Sequence, residues 1–260
     1  MSTFRPGLVS ITFRKLSTDA IIELCQEAGL EGIEWGGDVH VPPGEGKTAS
    51  EVGKATRDAG LNVAAYGSYY RAGPGLRDES KFDAVLESAR MLGAPLIRVW
   101  AGPRQPVAEA TEQDWKDAFE DAKRIAALAE PLGIQIAFEY HGGTLTEWPE
   151  TASRLMSGCD HPNIDTLWQP INGAPLDTNL DALHRVGPRI ANLHVFHWGD
   201  GSQDRYALAA GEERWKAYLE AVEQYPRDGR WALLEFVKED DPRQCVEDAA
   251  TLRSWLAGRA

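Results

Sequence analysis

Short apolar runs alternate with amphipathic stretches from one end of the chain to the other. One junction recurs: Ala28-Gly29-Leu30 precedes Gly32-Ile33-Glu34-Trp35, and Ala59-Gly60-Leu61 precedes Val63-Ala64-Ala65-Tyr66. It returns as Leu92-Gly93-Ala94 before Leu96-Ile97-Arg98-Val99-Trp100, and as Leu132-Gly133-Ile134 at the head of the run to Glu139. Gly just past a helix supplies the left-handed residue that ends it, and a short link then feeds a strand. Leu8–Ile11, Ile164–Gln169, Ile190–His194 and Trp231–Glu235 bring the expected strands to eight. Between strands, Thr18–Ala28, Thr48–Ala59, Lys81–Leu92 and Thr111–Ala129 carry apolar residues three and four apart, as helices with one buried face do. Pro149 and Pro242 mark helix starts behind caps at Thr146 to Trp148 and at Asp241. The last helix, near Asp241–Leu256, puts Val246, Ala249, Leu252 and Leu256 on one side. Such alternation predicts a parallel sheet. Eight units in 260 residues fit one (β/α)8 TIM barrel better than an open doubly wound sheet, with a single domain over residues 1–260 and no GxGxxG fingerprint.

Functional groups of such a barrel project from the C-terminal ends of its strands. Four runs in the second half end in groups able to bind a divalent cation: Glu139, Gln169, His194 and Glu235. The two-residue strand period puts Ala137 with Glu139, Asn192 with His194, and Leu233 with Glu235. With the terminal residues inward, all four converge on one axis. This mixed oxygen and nitrogen set suits Mn²⁺, Mg²⁺ or Co²⁺ and lacks the thiolates of a structural zinc site. A cation there polarises a sugar carbonyl or hydroxyl and stabilises an enediolate. Glu139 and Glu235 then flank the substrate as the proton-moving groups. The bland alternative for each Glu is a salt bridge at the barrel mouth. Expected substrate contacts are Trp35 and His40 in the Glu34–His40 stretch, Trp100, His141, Trp168, Asn172, His197 and Lys238. Arg98, inside a strand, needs a buried partner, with Asp165 and Glu34 in reach.

Composition narrows the partners. A net charge of −13 argues against nucleic-acid or anionic-membrane surfaces. Three cysteines without CxxC spacing fit a reduced, cytoplasmic setting, and the first residues lack the apolar stretch of a signal peptide or membrane span. The serines have no GxSxG context, which disfavours a hydrolase triad. The aromatic supply suits stacking on a small-molecule sugar; homo-oligomerisation stays open.

At Gly32-Ile33-Glu34-Trp35, Ile97-Arg98-Val99-Trp100-Ala101-Gly102, Glu139-Tyr140-His141-Gly142-Gly143-Thr144 and Leu233-Leu234-Glu235, the chain resembles the xylose isomerase-like TIM-barrel superfamily, the sugar phosphate isomerases/epimerases. That group includes ketose 3-epimerases, hydroxypyruvate isomerase and inosose dehydratase, with endonuclease IV more distant. The resemblance implies a cation held by Glu, Asp, His and Glu on strands five to eight, roles that carry over to Glu139, His194 and Glu235. Strand six departs: Gln169-Pro170-Ile171-Asn172 stands where the family pattern has Asp-Pro-Gly-His. Gln169 still offers a carbonyl oxygen but no charge, so weaker metal binding is expected. With no Gly-rich, basic loop near strands seven and eight, an unphosphorylated sugar or keto-sugar is the expected substrate of an isomerase or epimerase. A lyase acting on a keto-sugar, keto-inositol or 3-keto-glycoside is the second reading, and a non-catalytic sugar-binding barrel the third.

Overall fold

Eight parallel strands pair in chain order, and the first pairs with the last to close the sheet. The computed structural model describes residues 4–201 and 203–257. The strands are β1 Phe4–Val9, β2 Gly32–Gly36, β3 Asn62–Ala72, β4 Leu96–Ala101, β5 Gln135–Glu139, β6 Ile164–Trp168, β7 Ile190–Val195 and β8 Arg230–Leu234. The helices between and after them are α1 Thr18–Glu27, α2 Gly46–Asp58, α3 Ser80–Leu92, α4 Glu112–Ala129, α5 Pro149–Cys159, α6 Leu176–Val186, α7 Glu212–Glu223 and α8 Pro242–Ala257. The expected (β/α)8 barrel is the fold.

Local chemistry explains the boundaries. Ser17 caps α1 by accepting the Ala20 N–H, and Thr111 with Asp114 forms a reciprocal capping box on α4. Gly93 ends α3 in the left-handed region, where a Cβ is costly. Two strands differ from expectation by more than one residue at an end. The first runs Phe4–Val9, and Ser10–Phe13 turns as a 3₁₀ segment in which Ser10 Oγ accepts the Gly36 N–H (2.8 Å). The third continues to Ala72, with a break in its register against β4 between Gly67 and Arg71.

Alternation divides the buried apolar residues into a main core and two small clusters, one of them Val9, Ile11, Ala64, Trp231 and Leu233. Ile33, Trp35, Ile97, Val99, Ile136, Phe138, Trp168 and Leu193 belong to the main core, together with helix residues such as Ile21, Phe82, Ile125 and Leu219. Ala65, Leu96, Ala137, Leu167 and Ala191 form a separate, smaller cluster. The small side chains of that cluster leave room beside them for charged groups. Among the described residues, no helix is long and apolar enough to cross a membrane.

Candidate active site

The charged groups gather at the C-terminal strand ends. Glu34 belongs to β2, Arg98 and Trp100 to β4, Glu139 closes β5, and His194 is in β7. Gln169 and Glu235 each lie one residue beyond their strands. Glu34, Arg98, Glu139, His194 and Glu235 are all buried.

Arg98 holds the centre. Its Nε donates to Glu34 (2.7 Å) and its Nη1 to Glu139 Oε2 (2.5 Å), which also accepts the Trp100 indole N–H (2.6 Å). Gly67 makes this geometry possible, since a Cβ there would lie 2.7 Å from both Arg98 Nη2 and Glu34 Oε1. Burial opposes ionisation of Glu139, but the Arg98 guanidinium and His194 outweigh it and hold the carboxyl well below its usual range. Glu34 is lowered likewise, its burial outweighed by His194 and Arg98. The buried partner expected for Arg98 is therefore Glu34 together with Glu139. Asp165 instead receives Arg227 (2.6 Å).

His194 has distinct surroundings at its two nitrogens. Nε2 faces Glu34 (3.2 Å), while Nδ1 faces Glu139 Oε1 (3.5 Å), Glu235 Oε2 (3.4 Å) and Gln169 Oε1 (3.3 Å). Glu34 thus orients the ring and leaves Nδ1 toward the other acceptors. Burial disfavours the imidazolium, but Glu235, Glu34 and Glu139 more than offset this and raise the His194 pKa well above its usual value.

Glu139, His194 and Glu235 each offer a ligand atom, all within 4.8 Å of one another. The Gln169 amide is fixed because its Nε2 donates to the Tyr140 carbonyl (2.7 Å), which turns Oε1 toward His194. Two carboxylates, one imidazole nitrogen and one amide oxygen fit a divalent cation of the Mn²⁺ or Mg²⁺ type.

Arg98, Glu139, Gln169 and Glu235 line a cavity of about 630 Å³. Of the expected substrate contacts, Trp100, His141 and Asn172 line it, the His141 ring lying 4.8 Å from Trp100. Trp35 and Trp168 do not, which corrects their assignment. Each is the strand neighbour of an inward group, Glu34 and Gln169, so alternation sends it outward. Trp35 bonds Thr56 of α2 (3.1 Å), and Trp168 packs on Trp215 and Tyr218 of α7. His40 is also corrected: it is buried, with Nδ1 on Ser10 Oγ (3.0 Å) and Nε2 near the Leu16 carbonyl (3.3 Å). His197 borders a separate narrow crevice beside Arg214, and Lys238 is exposed on the turn after β8 and does not line the cavity. Sequence reasoning missed Arg14, Tyr69, Trp148, Arg205 and Phe236 as lining residues. All but Tyr69 lie on turns or loops, where no hydrophobic period points at them. Phe236 alone carried a signal, its place beside Glu235.

Residues 22–255 match the xylose isomerase-like TIM barrel family, and the chain belongs to that family. Over 102 residues it is 28% identical to inosose dehydratase of Geobacillus kaustophilus, a match spanning 37% of this chain and 33% of that enzyme, about a third of its length. The crystal structure of the IOLI protein with a bound zinc atom superimposes with a TM-score of 0.74 at 15% identity, covering 99% of both chains. That of 3-keto-D-glucoside 4-epimerase from E. coli gives 0.73 at 18% identity, over 96% of this chain and 99% of that one. At these identities the structural likenesses speak for the fold alone.

Proposed function

We propose that this chain is a divalent-cation-dependent sugar isomerase or epimerase that moves a proton beside the carbonyl of an unphosphorylated sugar or keto-sugar. One observation carries the reading: carboxylates from β5 and from the end of β8 converge on one nitrogen, His194 Nδ1, at 3.5 and 3.4 Å, within an open cavity. Glu139, Gln169, His194 and Glu235 would hold the cation, which supplies Lewis-acid polarisation of the substrate carbonyl when bound. Arg98 and Trp100 keep Glu139 ionised and immobile. Among the described residues Glu235 has neither partner, and its one side-chain contact within ion-pair distance is His194. It is therefore the better group to take the proton from the carbon next to the carbonyl. Returning that proton to the neighbouring carbon, while the hydroxyl proton passes to the former carbonyl oxygen, gives an isomer. An epimer needs a proton donor on the opposite face, and Glu139, held ionised by Arg98, is a poor one. The cavity arginines Arg14 and Arg205 are paired with Asp38 and Asp240, which disfavours a phosphate-bearing substrate.

The clamp on Glu139 also favours a second reading. With one free base, the same enolate can expel a leaving group, as in a dehydratase or other lyase. Proton NMR of the Mn²⁺-loaded protein with a panel of keto-sugars in D₂O separates the two. Solvent deuterium in a recovered or isomerised sugar supports the isomerase or epimerase. An unsaturated or dehydrated product supports the lyase, and no exchange across the panel defeats both.

A further inference from the structure

The cavity has two chemically different halves. Its floor is the Glu139, Glu235, Gln169 and Arg98 cluster. Its rim is aromatic, and Trp148 there leaves 43% of its surface in water. Phe236 adopts φ 48°, a left-handed region that strains a non-glycine residue. The surroundings enforce that conformation. Thr12 Oγ1 accepts the Phe236 N–H (3.0 Å), and the Trp198 indole N–H donates to the Phe236 carbonyl (3.1 Å). Trp198 in turn stacks on Phe196 with centroids 3.8 Å apart. Arg14 and Arg205 lean on the Phe236 ring, 5.4 and 4.7 Å from its centroid, and each is neutralised by an aspartate. The rim therefore offers aromatic surface beside two neutralised arginines and the Glu147 carboxylate, which accepts the Val107 N–H (3.0 Å). Pockets of roughly 300–1,000 Å³ enclose ligands of drug size, and a cavity of about 630 Å³ exceeds what one pyranose ring over the floor fills.

We propose that the rim is a second subsite, lined by Trp148, Trp198 and Phe236, for a ring joined through a glycosidic bond to the reacting sugar. The substrate is then a glycoside rather than a free monosaccharide. The ring on the rim presents an apolar face, as an aromatic aglycone or a second pyranose does. This rests on the sugar-site reading above and narrows its substrate class. The strained Phe236 backbone then has a purpose: it sets a rim residue directly after Glu235, so the reacting group and the subsite are fixed by one turn.

Isothermal titration of the purified protein tests this without turnover. The probes are methyl and phenyl glycosides of glucose, galactose, xylose and mannose in both anomers, with cellobiose and maltose as two-sugar ligands. An aromatic contact of this kind adds roughly three- to tenfold in affinity. At least one phenyl glycoside or disaccharide should exceed its methyl counterpart by that factor. The ratio should fall to near one in Trp148→Ala, whose exposed position makes it safe for folding, and in Phe236→Ala. Preference for phenyl glycosides identifies an aromatic aglycone, and preference for disaccharides a second sugar. Methyl glycosides binding as well as every two-ring probe, or a preference unchanged in Trp148→Ala, would overturn the subsite alone. No binding by any probe would overturn the sugar site and the subsite with it.

Discussion

Replacing Arg98 with Met removes a buried guanidinium while keeping a long apolar stem. Arg98 is 1% exposed and bridges Glu34 and Glu139 at 2.7 and 2.5 Å. Both carboxylates would stay buried with one cation fewer. A hydrogen bond to a charged group contributes about 1.5–3 kcal/mol, and breaking a buried ion pair costs roughly 3–5 kcal/mol. Glu139 keeps the Trp100 N–H and Glu34 keeps His194, which places the expected loss near the lower end, about 3 kcal/mol. Urea unfolding followed by tryptophan fluorescence at neutral pH measures it. The pH dependence checks the cause. Both carboxyls have depressed pKa values when folded. Their contribution is fully present above the unfolded glutamate pKa of about 4.3 and is lost as pH falls through the folded values. The difference between Arg98→Met and wild type should therefore be full at neutral pH and shrink in acid. A loss below about 1 kcal/mol would refute the ion-pair reasoning. A loss that persists undiminished in acid would assign the effect to packing instead.

The metal centre gives two further expectations. Gln169→Asp adds a negative charge where Oε1 faces His194, so Mn²⁺ affinity followed by electron paramagnetic resonance should rise about tenfold or more; equal affinity in both proteins would take Gln169 out of the coordination shell. The His194 pKa is raised, so a cation bound at Nδ1 must displace a proton near neutral pH, and affinity should climb as pH rises toward that pKa. Calorimetry of Mn²⁺ binding in two buffers of different ionisation enthalpy counts the released proton, and binding with no release near pH 7 would count against His194 as a ligand.

The barrel was legible because it is written in local rules. Helix-ending glycines such as Gly93, apolar strands and the helical period each depend on few neighbours, and the pattern repeats around the barrel. The convergence of Glu139, Gln169, His194 and Glu235 followed from strand ends alone. The errors arose where that rule was not carried through. Trp35 and Trp168 adjoin inward residues and so had to face the helices, where each packs. Arg98 pairs in register with Ala137, yet its long side chain reaches one layer higher to Glu139 and across to Glu34. The sequence pointed to Glu34 as a partner and carries no signal for the reach to Glu139. His40, Trp148 and Arg205 depend on loop paths, which only the closed structure determines.

The substitution at strand six acquires a meaning from Arg98. Three carboxylates, Glu34, Glu139 and Glu235, meet the Arg98 guanidinium and a His194 imidazole whose pKa is raised. With the imidazole protonated, that cluster carries one excess negative charge. Exchange of the His194 proton for a divalent cation brings the sum to zero. An aspartate at Gln169 would return it to minus one. A negative site opposes the charge that develops on a sugar carbonyl as the adjacent proton leaves, whereas a neutral, preorganised one does not. On the proposed reading, the neutral Gln169 would keep the cation-loaded site at zero charge while Glu34 orients His194. Its cost falls on metal affinity, and its benefit on the negative charge that a proton abstraction by Glu235 would create.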